Sequence, residues 1–141
     1  MILLPLLAAP IAYLVGRIAL LKGGKVHTWL PSGIAFAALL LSWAPFGLAA
    51  RDTLSMGQVS WQVGSISLRF DGLSLLLSAL VLLLSMLVAL FSGPALRHEE
   101  GEEKYYSMLL IMSAVMIALG CSGDLFNLWV WFEAMAVSSY L

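Results

Sequence analysis

The chain has 141 residues, of which 62% are hydrophobic and 11% are charged, and its formal net charge is −1. Soluble domains are about 45–50% apolar and about 25% charged, so this composition predicts an integral membrane protein in contact with the lipid bilayer. The charge excludes the strongly basic surface that a nucleic-acid partner requires. Cys121 is the only cysteine, which excludes an internal disulfide and a cysteine-based metal centre.

Long intervals without Asp, Glu, Lys or Arg divide the sequence into membrane-crossing segments. They run over residues 26–50, 72–96 and 105–123, and each is long enough to cross a hydrocarbon core. The apolar N-terminal stretch precedes Lys22 and Lys25, whereas a signal peptide carries its positive residues first, so we predict a retained span. The fold class is therefore an all-α membrane protein, with five transmembrane helices at about residues 1–21, 28–50, 72–93, 105–122 and 125–141.

Lysine and arginine are distributed unevenly over the connecting loops. The first loop contains Lys22 and Lys25 and the third contains Arg97 and Lys104, whereas the fourth contains neither residue type. The positive-inside rule therefore places the first and third loops in the cytoplasm and the N-terminus outside.

The second loop shows the alternation of a β-hairpin. Two alternating runs between residues 58 and 70 flank the pair Gly64-Ser65, which is compatible with a tight turn. Asp71 follows as the predicted N-cap of the third helix, and Gly93-Pro94 is predicted to end that helix.

The third helix carries a narrow polar face of serines. At about 100° per residue these serines lie within roughly 40° of one another. Small polar faces in membrane helices usually meet another helix, which favours packing, and a wetted lining of an ion path is the alternative. The four residues are Ser74, Ser78, Ser85 and Ser92.

Glu133 is the candidate functional residue, because it is an ionisable group inside the apolar fifth segment. Counting from Asp124 at about 1.5 Å per residue places it roughly 13 Å into the membrane, near the middle. Desolvation favours the neutral acid there and a nearby cation favours the carboxylate, which is the balance that a proton relay needs. The structural alternative is a protonated glutamate that hydrogen-bonds two helices. The predicted spans contain no lysine, so a cationic partner is expected elsewhere in the protein or in another subunit.

Other polar residues near the fifth segment have simpler interpretations. Asp124 is predicted to cap the helix, with a channel mouth as the alternative, and Ser138, Ser139 and Tyr140 could contact water or a neighbouring helix. A run of acidic residues before the fourth segment is predicted to be a solvated cytoplasmic loop. These residues are Glu99, Glu100, Glu102 and Glu103. No catalytic motif is present, and His27 and His98 have no second histidine nearby to form a metal site.

The last segment is short for a span. Residues 125–141 cover only about 25 Å as a helix, and the carboxylate of Leu141 would lie inside the bilayer. Because that burial is costly, we expect the sequence to be a fragment of a longer protein.

Two motifs resemble a known family of membrane subunits. Gly123 to Glu133, with Trp131-Phe132-Glu133 at its end, and the later Ser138-Ser139-Tyr140-Leu141 are similar to the fourth and fifth helices of antiporter-like subunits of respiratory complex I. The same family includes Mrp-type sodium/proton antiporters and membrane-bound hydrogenases. Residues 70–74, Phe-Asp-Gly-Leu-Ser, also resemble the start of the family's third helix, after an exposed hairpin.

The resemblance implies a larger fold of about fourteen helices built on inverted repeats. Residues 1–104 would then hold three leading helices, and residues 105–141 the first two helices of a repeat. Glu133 would pair with a lysine on a later helix and relay protons. The implied protein is a proton-translocating membrane subunit of an NADH:quinone oxidoreductase in a bacterial inner membrane. NADH, FMN, iron–sulfur clusters and quinone are expected on partner subunits of that complex, with no cofactor in this chain.

Other functions agree with the same residues. A sodium/proton antiporter subunit or a membrane-bound hydrogenase subunit would use the same helices. A scaffold that anchors partner subunits without translocating ions belongs to a different class, and it makes Glu133 structural.

Overall fold

The computed structural model describes residues 1–21, 30–64, 66–96 and 101–140. Over these ranges the chain forms five α-helices and one two-stranded antiparallel sheet. In chain order the elements are α1 (Leu3–Leu21), α2 (Leu30–Met56), β1 (Val59–Val63), β2 (Ile66–Phe70), α3 (Gly72–Ala95), α4 (Glu102–Gly120) and α5 (Leu125–Tyr140).

The helices have the length and composition of an integral membrane protein. Three of them, α2, α3 and α4, are long and apolar enough to cross a membrane, and α1 includes a shorter apolar helix over Leu3–Ala19. The 16 residues of α5 would extend about 24 Å. The five predicted helices and the predicted hairpin at residues 58–70 are confirmed. Ser65 of the predicted turn lies outside the described residues, and so do the predicted loop residues Lys22, Lys25, His27, Arg97, His98, Glu99 and Glu100.

The described part of the chain packs around α4. This helix contacts α1, α2, α3 and α5, and α1 also packs on α2. Alanines of α1 and α2 lie in the core, where their small side chains let the helices approach closely. The core contains Ala9, Ala12, Ala35, Ala38, Leu39, Leu82, Ala89, Tyr106, Leu110, Ile117 and Cys121.

Two helices extend beyond their predicted ends. The second was predicted to end at residue 50, but α2 continues through the charged residues Arg51 and Asp52 to Met56. Charged residues cost little in a helix once it has left the hydrocarbon core, so the end of the span is not the end of the helix. The third was predicted to end at Gly93-Pro94, but α3 includes Pro94 in its last turn. The Leu96 amide still donates to Ser92 O at 2.8 Å, so the last turn stays closed.

The start of α4 corrects a third prediction. Residues 102 and 103 were assigned to a solvated loop, and the helix was expected to begin at residue 105 and end at residue 122. Instead α4 begins at Glu102 and ends at Gly120, and both Glu102 and Glu103 are buried. Acidic side chains in a first turn are favoured by the positive end of the helix dipole, which explains the earlier start.

The N-terminus, the hairpin and the α4–α5 linker lie at one end of the bundle. The Met1 amino group is within electrostatic range of Cys121, at the end of α4. At the opposite end, Gly16 near the end of α1 faces Glu103 at the start of α4. The two helices are therefore antiparallel over their whole length.

Candidate functional site

Glu133 lies on the face of α5 that is turned away from α4. The buried residues of α5 are Asn127 and Ser138, and the half-buried Trp131, Ala134 and Met135 lie between them at helical spacing. This stripe packs on α4. Glu133 falls outside the stripe and its side chain is exposed.

The residues around Glu133 form an uncovered, mostly apolar surface. Trp129 and Val137, one turn before and one turn after it, are 59% and 58% exposed, and Phe132 is exposed as well. Within the described residues, α4 is the only helix that packs extensively on α5. The side of α5 that carries Glu133 is therefore not covered by α1–α4 in the described part of the chain.

Asp124 has the geometry of an N-cap, one of the two roles predicted for it. One carboxylate oxygen accepts the Asn127 backbone N–H at 2.7 Å. The other accepts the Asn127 side-chain amide at 2.7 Å and a short hydrogen bond from the Ser67 hydroxyl. These hydrogen bonds, led by the one from the Asn127 backbone, lower the pKa of Asp124 below its usual value. The carboxylate therefore caps α5 and joins it to β2.

The linker between α4 and α5 pairs with the hairpin. The Arg69 amide donates to Cys121 O at 2.7 Å, and the Gly123 amide donates to Ser67 O at 2.9 Å. Leu68 and Ser122 form an antiparallel bridge between these two hydrogen bonds. A Cβ on Gly123 would lie 2.9 Å from Ser67 Oγ, so the close approach needs glycine. The linker thus extends the edge of β2 by one antiparallel bridge, a contact that its sequence does not predict.

The serine face of α3 meets α4, as its packing interpretation predicted. Ser85 Oγ and Ser113 Oγ of α4 are 2.7 Å apart, and both side chains are buried. Ser78 lies 3.8 Å from Cys121 Sγ, and Ser92 donates to the Tyr106 hydroxyl at 3.3 Å.

Ser74 belongs to the same face but caps α3. Its amide donates to the Asp71 carboxylate, and its hydroxyl accepts the Asp71 amide, both at 2.8 Å, which forms a capping box. The N-cap predicted for Asp71 is confirmed. These backbone and side-chain hydrogen bonds lower the pKa of Asp71.

The three polar residues after Glu133 take different positions. Ser138 is buried against α4 and donates to Met135 O at 2.9 Å and to Met112 Sδ at 3.3 Å. Ser139 is exposed and donates to Ala136 O at 2.7 Å, and Tyr140 is exposed. Ser138 is therefore a helix contact, whereas Ser139 and Tyr140 remain on the uncovered side.

The first turns of α4 contain two buried polar side chains, Glu103 and Tyr106, whose burial the sequence patterns did not predict. Glu103 is only 5% exposed and packs against Gly16, and Tyr106 is completely buried beside Ser92. The sequence contains a signal for this burial, because Glu103, Ser107, Leu110, Ala114 and Ala118 follow one helical face.

Among the described residues, no group of three His, Cys, Asp or Glu side chains could hold a metal ion.

Comparisons with known proteins support a respiratory membrane fold. No protein-family model matches the chain, and no curated protein matches it. The chain is similar to a chain in the structure of the membrane-bound sulfane sulfur reductase, an archaeal respiratory membrane complex, with a TM-score of 0.82 and 26% identity. The match covers 99% of this chain and 28% of the archaeal chain, so this chain spans little more than a quarter of its length. The chain thus has the fold of part of a respiratory membrane complex subunit.

Proposed function

We propose that the chain is part of an ion-translocating membrane subunit of a redox-driven respiratory complex, with Glu133 as its proton relay. An NADH:quinone oxidoreductase is the complex that the sequence motifs favour. The subunit belongs to the antiporter-like fold of about fourteen helices, with the N-terminus outside the cell membrane. Electron transfer, with its cofactors, takes place on partner subunits.

The observation that carries this proposal is the position of Glu133. The residue lies about halfway along the apolar helix α5 and on the side that α4 leaves uncovered. Exposing a carboxyl group to lipid at this depth is costly. We therefore expect Glu133 to face other protein or a water-filled cavity in the complete protein. Its surroundings then decide whether it holds a proton. A cation that approaches would release the proton, and a cation that retreats would let the carboxylate bind a proton again.

The similarity to the archaeal respiratory complex supports the same function. It extends over nearly the whole chain, so all five helices have counterparts in a subunit of a respiratory membrane complex. A scaffold role would need the same helices but no ionisable group at position 133. The ionisable side chain of Glu133 is therefore the feature that distinguishes ion translocation from a scaffold role.

The test replaces Glu133 in the complete protein within its complex. Glu133→Gln keeps the size and polarity of the side chain but cannot exchange a proton, and Glu133→Asp keeps the exchangeable proton. Redox-driven proton uptake is measured in inverted membrane vesicles with a fluorescent pH probe, and assembly is measured on native gels. Loss of a group that transfers protons typically slows the transfer by about 10²–10⁴-fold, so we expect pumping to collapse in Glu133→Gln and to persist in part in Glu133→Asp.

Assembly separates this function from the scaffold function. We expect Glu133→Gln to assemble normally, because the side chain is outside the α4–α5 contact. Normal pumping by an assembled Glu133→Gln complex would refute the relay. If Glu133→Gln impairs assembly but the complex that does form pumps protons normally, the result would support a scaffold function.

A further inference from the structure

The rotation of α5 about its own axis decides where Glu133 points. At about 100° per residue, Glu133 lies roughly 140° around the helix from the middle of the stripe that packs on α4. Side chains reach about 5–6 Å from a helix axis, so a rotation of about 20° would move this carboxyl group by about 2 Å. Hydrogen bonds join atoms about 2.5–3.2 Å apart, and a shift of that size breaks them. A proton relay at this position therefore needs α5 to be held in one rotation.

The contact with α4 alone holds this rotation weakly. Across the contact, the Ser138 hydroxyl donates to Met112 Sδ at 3.3 Å, and a thioether is a weak acceptor. Met112 and Met135 are half-buried, and the unbranched methionine side chain adapts to small displacements of its neighbours. Stronger directional contacts elsewhere on α5 are needed to fix its rotation.

Such contacts lie at the first turn of α5. The Asp124 carboxylate accepts the backbone N–H and the side-chain amide of Asn127, each at 2.7 Å, and Asn127 is buried. The same carboxylate accepts the Ser67 hydroxyl, and the Gly123 amide donates to Ser67 O at 2.9 Å. Ser67 therefore binds both the residue that caps α5 and the residue before the cap.

The strand that carries Ser67 is itself attached to the bundle. Leu68 and Phe70 of β2 pack against the hydrophobic core. Asp71 follows directly and forms the capping box of α3. Because β2 is fixed at these points, the hydrogen bonds of Ser67 orient the first turn of α5 relative to the core.

We infer that Ser67 is a positioning residue for Glu133. Its hydroxyl acts through Asp124 and holds α5 in the rotation that points Glu133 away from α4. The close approach of Gly123 brings the two segments within bonding distance. The orientation of α5 rests on these hydrogen bonds, whereas its importance for proton transfer rests on the proposed function.

The first test varies the Ser67 side chain in the complete protein within its complex. Ser67→Ala removes the hydroxyl and keeps the carbonyl group that accepts Gly123. Ser67→Thr keeps the hydroxyl, and Ser67→Val has the shape of threonine without it. Proton uptake is divided by the amount of complex on native gels, so a defect in assembly alone leaves the result unchanged. Ser60→Ala, at an exposed serine of β1, is the control.

The hydroxyl should decide the outcome. A misplacement of about 1 Å can slow a positioned reaction by about 100-fold, so a partial loss of position is expected to slow pumping per complex about tenfold. We expect this loss in Ser67→Ala and Ser67→Val, and nearly wild-type pumping in Ser67→Thr and Ser60→Ala. Equal pumping by the threonine and valine variants would overturn the inference.

Gly123→Ala tests the same contact from the linker. A Cβ on Gly123 would lie 2.9 Å from Ser67 Oγ and 3.1 Å from Ser67 O, so the linker must move away from β2. Gly120→Ala is the matched control, because its Cβ would make only an ordinary contact with Leu77 at 3.5 Å. We expect Gly123→Ala to lose pumping per complex as Ser67→Ala does. Equal pumping by the two glycine variants would overturn the inference, and this comparison decides if the Ser67 variants do not accumulate.

Chemical labelling of Glu133 separates this inference from the relay itself. Dicyclohexylcarbodiimide modifies carboxyl groups in apolar surroundings, and mass spectrometry of the digested protein measures how fast Glu133 is labelled. We expect the labelling rate to differ at least about threefold from the wild type in Ser67→Ala and to be unchanged in Ser67→Thr. A changed rate together with normal pumping by Glu133→Gln would keep the positioning and reject the relay. An unchanged rate together with collapsed pumping by Glu133→Gln would keep the relay and overturn the positioning.

Discussion

Substitution of Gly16 by alanine should push α1 away from α4. A Cβ on Gly16 would overlap the Cβ of Glu103 and would lie 3.1 Å from Pro31 Cγ and 3.3 Å from Glu103 Cγ. Carbon atoms pack best at about 3.5–4.0 Å. The overlapping atom is bonded directly to the α4 backbone, so a change of side-chain rotamer cannot move it away and the helices must shift.

Two effects of opposite sign set the magnitude. Overpacking of a filled site typically costs about 1–3 kcal/mol. Alanine in a helix interior is favoured over glycine by about 0.5–1 kcal/mol. Gly16→Ala should therefore lower the free energy of unfolding by up to about 2 kcal/mol.

Gly47→Ala is the matched control. Gly47 also lies inside a helix, α2, but nothing lies within 4 Å of the position its Cβ would take. Only the helix preference acts there, so Gly47→Ala should be neutral or stabilising by up to about 1 kcal/mol. The difference between the two variants isolates the overlap, at about 1–3 kcal/mol.

Unfolding in mixed micelles with increasing dodecyl sulfate measures this difference, with tryptophan fluorescence as the signal. The complete protein is used, with each variant compared with the wild type in the same detergent. Equal stabilities of Gly16→Ala and Gly47→Ala would refute the close contact between α1 and α4.

Two further predictions concern hydrogen bonds at the ends and in the middle of the bundle. A double-mutant cycle of Ser85→Ala and Ser113→Ala should give a coupling of about 0.5–1.5 kcal/mol in the same unfolding assay, because the two buried hydroxyls are 2.7 Å apart. Additive effects would contradict this contact, and the exposed Ser139→Ala should change stability by less than about 0.5 kcal/mol. Asp124 has a pKa below its usual value of 3.8, so the unfolded chain binds its proton first as the pH falls. The contribution of the Asp124 carboxylate to the free energy of unfolding should be fully present above about pH 4 and should be lost as the pH falls further. Asp124→Asn should remove this loss, so that the free energy of unfolding changes less with pH below about pH 4. An unchanged curve would show that the carboxylate does not stabilise the folded state.

Much of the fold could be predicted from local patterns. Charge-free intervals locate the helices, because charged side chains are costly in a hydrocarbon core. The alternation of Val59 and Trp61 with polar residues identifies β1, and Asp71 and Asp124 identify the starts of α3 and α5. Each of these signals acts within one or two turns of the chain, so no knowledge of the tertiary contacts is needed.

Contacts between distant segments could not be predicted in the same way. The burial of Glu103 depends on Gly16, which lies 87 positions earlier and has no local signal for this contact. The bridge between the linker and β2 depends on three residues, 121–123, which are too few for an alternating pattern. For Glu133 the sequence predicts a depth in the membrane, but its exposed position on α5 follows only from the packing of Asn127 and Ser138 on α4.

Hydrogen bonds of the α4–α5 linker to β2 connect the hairpin directly to the start of α5. Cys121 and Gly123 are hydrogen-bonded to β2, and Asp124 bonds to Ser67 while it caps the helix. A force that lifts or tilts the hairpin is therefore transmitted to the first turn of α5. Because a helix resists axial compression, the same displacement reaches Glu133 about 13 Å further along. A displacement of the hairpin would therefore also move the carboxyl group of Glu133.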